Sequence, residues 1–166
     1  LAGDAITTGS ENVALGRSAL GADTLGAHSV AIGFQALKTN VSSFNNVAVG
    51  REALQNATSA SNTAVGSRAL KSLTTGGSNT AVGNSALVAN TTGTLNTAVG
   101  VSSLISNTTG SNNTALGGSA LQSNGVGSNN TSIGRNSLAS NAASNNTAVG
   151  FEAAYSNTTG TEITAI

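Results

Sequence analysis

The sequence contains no cysteine, proline, methionine or tryptophan; its only aromatics are three phenylalanines and one tyrosine. Without cysteine there is no disulfide framework and no thiolate metal site. Charged residues are 7% of the chain against a usual quarter, and six basic residues balance six acidic ones. With zero net charge and no basic run along the sequence, the chain lacks the electrostatic footprint of a nucleic-acid binder. No apolar run reaches transmembrane length, and no basic-then-apolar segment opens the chain, so no membrane insertion is expected. Hydrophobic residues still make up 38%, almost all of them Ala, Val, Leu and Ile. Low hydrophobicity with high net charge, the composition of disorder, is absent.

What the chain does contain is one phrase repeated. "NTAVG" and its variants place anchor glycines at Gly16, Gly33, Gly50, Gly66, Gly83, Gly100, Gly117, Gly134 and Gly150, in steps of seventeen residues broken twice by sixteen. A fixed short period over a whole chain marks a repeat architecture. Counting from the glycine, slot −1 is Val, Ile or Leu (Leu15 through Val149) and slot −2 is alanine, with Ser132 the exception. Slot −3 is Val13, Val30 and Val47, then threonine from Thr63 to Thr147. Slot −4 is asparagine in eight copies, and slot +4 is leucine from Leu20 to Leu138, closing with Ala154.

No apolar spacing of three and four persists between the glycines, which excludes helices, and one leucine per unit is too few for a leucine-rich repeat. The β-branched "NTAV" reads as a strand ended by a glycine bend. A piece such as "SALVAN" reads as a second strand running to an Asn/Gly turn with positive φ. The fold class that follows is all-β: one parallel β-solenoid, or β-roll, spanning residues 1–166 in about ten coils of 17 residues. At about 4.8 Å per coil this is a rod of about 45–50 Å. The Val/Ile/Leu and leucine columns are expected to form the core, each buried member contributing about 1.5–3 kcal/mol. The asparagines are expected to stack as amide ladders. Glu52 and Arg68, in one slot of adjacent coils, are expected to pair across the step.

If slots −1 and −3 face inward, strand alternation turns the alanines outward. An outward column of Ala14, Ala31, Ala48, Ala64, Ala81, Ala98, Ala115 and Ala148, free of large or charged groups, suggests a subunit interface, with three-fold packing the leading form. Neither end looks capped. Leu1 starts inside a copy and Ile166 stops one residue short of the next glycine. Either longer sequence flanks the segment, or subunits stack end to end so that open edges cover one another.

Motifs for chemistry are absent. His28 has no partner of catalytic type nearby in sequence, and the carboxylates do not recur as a pair. The calcium β-roll needs an Asp in each turn, where this chain has Asn, Thr and Gly. No glycine-rich segment leads to a lysine and a helix. No catalytic residue, metal ligand or cofactor is therefore assigned, and the chain reads as non-enzymatic. Nine Asn-X-Ser/Thr sequons occur, at Asn40, Asn56, Asn90, Asn107, Asn112, Asn129, Asn130, Asn145 and Asn157. Asn90, Asn107 and Asn157 each begin "NTT" in the expected turn, and are the candidates for a glycan. The most variable slot, +1, holds Arg17, Phe34, Arg51, Arg135 and Phe151, and is the candidate edge for surface recognition. A threonine ladder could also order water as on ice-binding solenoids, but valine in the first three copies of the slot weighs against it, as does the tendency of ice faces to show two threonine columns.

"HSVAIG" (His28 to Gly33), "NNVAVG" and "ENVALG" resemble the head-domain repeat of YadA-like trimeric autotransporter adhesins. The longer unit "NTAVGxxALxxNTTGSN" resembles repeats of phage tail fibres and bacterial surface fibres. The resemblance spans essentially the whole chain. It implies a left-handed parallel β-roll, trimeric or stacked into a fibre, located outside the cell on a surface or a virion. Its partners would be other copies of itself, with a host-surface glycan or receptor as a further one. Two features depart from the adhesin head: its unit is shorter than seventeen residues, and threonine here replaces an aliphatic residue in slot −3. The neck and membrane anchor of such adhesins are also missing from this sequence.

Overall fold

In the computed structural model, which describes residues 1–166, ten short strands form a single parallel sheet in strict chain order. They are β1 (Val13–Leu15), β2 (Val30–Ile32), β3 (Val47–Val49), β4 (Thr63–Val65), β5 (Thr80–Val82), β6 (Thr97–Val99), β7 (Thr114–Leu116), β8 (Thr131–Ile133), β9 (Thr147–Val149) and β10 (Thr164–Ala165). Each pairs with the next in register, alanine over alanine except at β8, where Ser132 stands between Ala115 and Ala148. The chain is a β-solenoid, and the sixteen-residue steps leave the register intact, Val47 pairing with Thr63 and Thr131 with Thr147.

Each coil has one strand, not the two expected. The segment after the glycine is a run of turns in which slots +2 and +4 take positive φ, for example Ser85 at 57° and Leu87 at 51°. A third such residue sits in slot −5, where Leu95 has φ 58°. The asparagine and glycine of "NTTG" do not supply these conformations. An L-residue in the left-handed region costs roughly 1–2 kcal/mol, yet the leucine column adopts it in every copy. The conformation aims backbone groups along the rod axis: the Leu70 N–H donates to Ala86 C=O at 3.0 Å, and Leu104 to Ala120 at 2.9 Å. It also places all eight leucine side chains in the interior at 0% exposure, which repays about 1.5–3 kcal/mol each.

The core differs from the expectation in a second way. Alanines 31, 48, 64, 81, 98, 115 and 148 are fully buried, packed with the leucine column and the slot +3 alanines. The Val/Ile/Leu column faces outward, with Leu15 64%, Leu116 48% and Val65 37% exposed. The alanine column is therefore an interior wall, not a subunit interface; Ala14, in the first coil, is half-buried against the same core. The reason is space. The coil encloses a leucine, a second alanine and two asparagines, and only a methyl group fits opposite them. Where serine replaces alanine, its hydroxyl is satisfied internally: Ser132 Oγ donates to Ser137 C=O at 2.8 Å.

Two buried asparagine columns flank the apolar core. In slot −4 the side-chain oxygen of one coil accepts the backbone N–H of the next, from Asn12–Ser29 at 2.9 Å to Asn146–Ile163 at 3.0 Å, without a break. Ser29 keeps the relay with its hydroxyl, accepting the Asn46 N–H at 3.3 Å. The second column occupies slot +7: Asn107 Nδ2 donates to Asn90 Oδ1 at 2.9 Å and Asn124 Nδ2 to Asn107 Oδ1 at 3.1 Å. Ala57 and Leu73 interrupt it. Asp23 takes its place in an early coil, buried, with Oδ1 accepting the Gly26 N–H at 2.8 Å and Oδ2 unpartnered.

Candidate functional site

Two exterior surfaces are distinct in chemistry. The first is the outward face of the sheet, made of slots −3 and −1. Over all ten strands it carries only Val, Leu, Ile and Thr, with no charged residue. The hydroxyls of Thr63, Thr80, Thr97, Thr114, Thr131, Thr147 and Thr164 have no partner within the chain. The threonines of slot +8 differ: Thr74, Thr91 and Thr108 donate their hydroxyls to carbonyls of the next coil at 3.0, 3.1 and 2.9 Å. One threonine column is thus structural and the other is free.

The second surface is the edge that follows the glycines. In slot +1 Arg17 lies over the Phe34 ring of the next coil, the guanidinium carbon 5.2 Å from the ring centre. Arg51, Arg135 and Phe151 are exposed in the same column. Slots +2 and +5 join this edge by reaching across the coil step. Gln55 Nε2 donates to Gln35 Oε1 at 2.8 Å, and Lys71 Nζ to Glu52 Oε2 at 2.7 Å.

The Glu52–Arg68 pair is not formed. Glu52 instead takes Lys71 and its own neighbour Arg51, both at 2.7 Å, with its side chain only 8% exposed. These cations, the Lys71 hydrogen bond foremost, hold the Glu52 carboxyl below its ordinary value against the opposing effect of burial. The winding also gathers cations that are scattered in sequence. Arg17, Lys38, Arg51, Arg68 and Lys71 all fall in slots +1, +2 and +5 of successive coils. The absence of a basic run along the chain thus did not preclude a basic surface.

The three glycan candidates are displaced. Asn90 and Asn107 are fully buried, their Nδ2 atoms each donating to a glycine carbonyl at 3.0 Å. Asn157 is half-buried, with Nδ2 bonded to Asn141 Oδ1 at 2.8 Å. A glycan would have to replace these bonds and enter the core. Asn56, Asn112, Asn129 and Asn145 are the exposed sequons. The signal for this was the recurrence of asparagine in slot +7 beside a leucine column, which marks an interior ladder. His28 is exposed and meets Glu11, its slot neighbour one coil earlier, at 2.8 Å with no third group.

No concave pocket interrupts the surface, no cluster of three potential metal ligands occurs, and no helix is long and apolar enough to cross a membrane. Comparison with known proteins finds no matching family model, no matching curated protein and no matching solved structure.

Proposed function

We propose that the chain is a rigid, non-enzymatic segment of an extracellular fibre, on a cell surface or a virion, whose copies associate side by side through the outward sheet face. The observation that carries this reading is that face's composition: ten strands long, aliphatic and threonine, and free of charge. An exposed sheet face normally collects polar and charged residues, and contiguous apolar patches mark interaction sites. The uniform coil suits a shaft, since each step presents the same columns to a neighbour. The likeness of "HSVAIG" and "NTAVG" to adhesin-head and tail-fibre repeats supports a three-fold arrangement. An adhesin-head or tail-fibre module that recognises a host receptor or glycan is the neighbouring reading, and the basic edge favours it.

The test is solution mass by light scattering across concentration, with micrographs of the same fractions. A discrete trimer is expected, and Val65→Glu with Val99→Glu converts it to a folded monomer. A wild-type chain that stays monomeric at high concentration overturns the proposal. The free hydroxyls of slot −3 would then favour ordered water as the occupant of the face, which thermal hysteresis measures directly.

A further inference from the structure

Although the chain is neutral overall, its charges are segregated by the winding. Five of its six Lys and Arg residues occupy the edge between Arg17 and Lys71. Glu52 is the one carboxylate there, and five cations less one carboxylate leave an excess of four. Asp23, the other acid in this stretch, is in the interior column. Arg51 and Lys71 are tied to Glu52, whereas Arg17, Lys38 and Arg68 have no carboxylate partner. The arrangement is a row. With coils about 4.8 Å apart, Arg17 and Arg51 stand about 10 Å apart along the axis, as do Lys38 and Lys71.

We infer that this edge binds an extended anionic polysaccharide lying along the rod axis. A linear polyanion matches a row of cations on a surface without a pocket; a small anion would need a concave cradle. Arg17, Lys38 and Arg68 stand on the first, second and fourth coils of this stretch, about 5 and then about 10 Å apart along the axis, so the acidic groups spaced along an extended polyuronate or sulfated glycan can meet the three unpaired cations in turn. Gln35 and Gln55 lie between the cations and offer amide groups to sugar hydroxyls. A single-stranded nucleic acid would require exposed rings for its bases to stack on. The edge has one ring in these coils, Phe34, half-buried beneath Arg17 and suited to the apolar face of a sugar. This site is separate from the outward sheet face, so it stands whether or not copies associate there.

The test is fluorescence anisotropy with end-labelled oligogalacturonate at low and at physiological ionic strength. A heparin fragment, neutral dextran and single-stranded oligo(dT) serve as competitors. Binding that weakens with salt, is displaced by the heparin fragment and is indifferent to dextran is expected. The triple variant Arg17→Gln, Lys38→Gln, Arg68→Gln raises Kd about tenfold, as the loss of three exposed ion pairs requires. Arg17→Lys with Arg68→Lys retains binding. Circular dichroism checks that the triple variant keeps its fold. The inference is overturned by failure to bind either anionic sugar at low ionic strength, by an unchanged Kd in the triple variant, or by competition from dextran. Oligo(dT) binding tighter than the sugar makes nucleic acid the occupant and overturns it too.

Discussion

The asparagine relay of slot −4 should be far less tolerant of an apolar substitute than the asparagine column of slot +7, although both are fully buried. Asn96 shows why. Its Oδ1 accepts the Asn113 N–H at 3.0 Å and Asn113 Nδ2 at 3.1 Å, and its Nδ2 donates to Gly110 C=O at 2.8 Å. In Asn96→Leu, Gly110 C=O keeps a second donor, Asn107 Nδ2 at 3.0 Å, and Asn113 Nδ2 keeps Gly127 C=O at 2.8 Å. The Asn113 N–H keeps nothing. A buried backbone donor left unmet costs about 1–3 kcal/mol, and two further bonds lost at about 1 kcal/mol each bring the gross penalty to about 4 kcal/mol. Part of that is offset by the buried leucine, which leaves a net cost of about 3 kcal/mol.

Asn107→Leu loses bonds too, but no backbone group is stranded. Gly110 C=O retains Asn96, and Asn124 Nδ2 retains Gly127 C=O at 2.9 Å. Only the Asn90 side-chain oxygen loses its partner, a state Asn124 Oδ1 already occupies in the native fold. The same slot natively holds Ala57 and Leu73, so the cost should be about 1 kcal/mol or less. Asn96→Ser should fall between, because Ser29 performs the relay natively. Urea unfolding followed by circular dichroism measures the ranking, and hydrogen exchange at the Asn113 amide localises it. At about 2–4 °C per kcal/mol for a chain of this size, Asn96→Leu lowers Tm by roughly 6–12 °C. An Asn107→Leu cost equal to that of Asn96→Leu would refute the reasoning, as would an Asn113 amide as protected in Asn96→Leu as in wild type.

Gly83→Ala should cost more than about 3 kcal/mol, since φ is 139° and a Cβ would lie 2.4 Å from the Gly100 carbonyl oxygen, with backbone on both sides of the clash. Gly118→Ala, one slot after an anchor and with its nearest atom at 3.8 Å, should be neutral or stabilise by up to about 1 kcal/mol in the same urea titration. The Glu52 carboxyl, held below the ordinary 4.5 by Lys71 and Arg51, links stability to pH. The contribution is complete above that ordinary value and is withdrawn as pH falls through the lower folded-state value. Thermal melts across that window should therefore lose stability on acidification. Lys71→Met should flatten the dependence, and an unchanged slope in that variant would show that the pair is not its source.

The period, the position of the strand before each glycine and the leucine core were legible in the sequence, because each follows from what must recur in every coil, whereas the second strand expected in each coil is a run of turns. Anchoring on glycine placed β1 through β9 correctly, and the reason for the glycine is now explicit: at Gly66 a Cβ would meet the Gly83 carbonyl oxygen at 2.4 Å. Which side of the strand faces inward was not legible from hydrophobicity. Val, Ile and Leu outrank alanine on any scale, so they read as core. The better signal was strictness. Slot −1 accepts Leu15, Ile32, Val49 and Leu116, shapes that a tight interior would distinguish, whereas slot −2 admits only alanine and one serine. Slot −4 shares its parity with slot −2, so the asparagine ladder and the alanine column had to lie on one side together. The basic edge was illegible for a different reason. Lys71 and Glu52 are nineteen residues apart, and only the crossing of slot +5 over slot +2 of the preceding coil brings them together.

That distinction between strict and permissive columns also separates fold from function in this chain. Interior slots are fixed by the coil itself: alanine by space, leucine by burial, asparagine by the amide it must accept. None of these demands reaches the exterior. A single solenoid gives slot −1 no reason to stay aliphatic, because a lysine or a glutamate there would face water at no cost to the core. Yet from Leu15 to Val149 the slot never carries a charge or a polar group. Slot +1, equally exterior, varies through Arg, Phe, Ser, Asn, Val and Gly. Exposure without variation on one face and with variation on the next is what lateral self-association predicts. On the proposed reading a shared face would be held apolar, and an edge left in solvent would be free to acquire a row of cations. A charge placed in slot −1 should therefore change assembly while leaving the coil intact, and neutralising the unpaired Arg17, Lys38 or Arg68 should change neither.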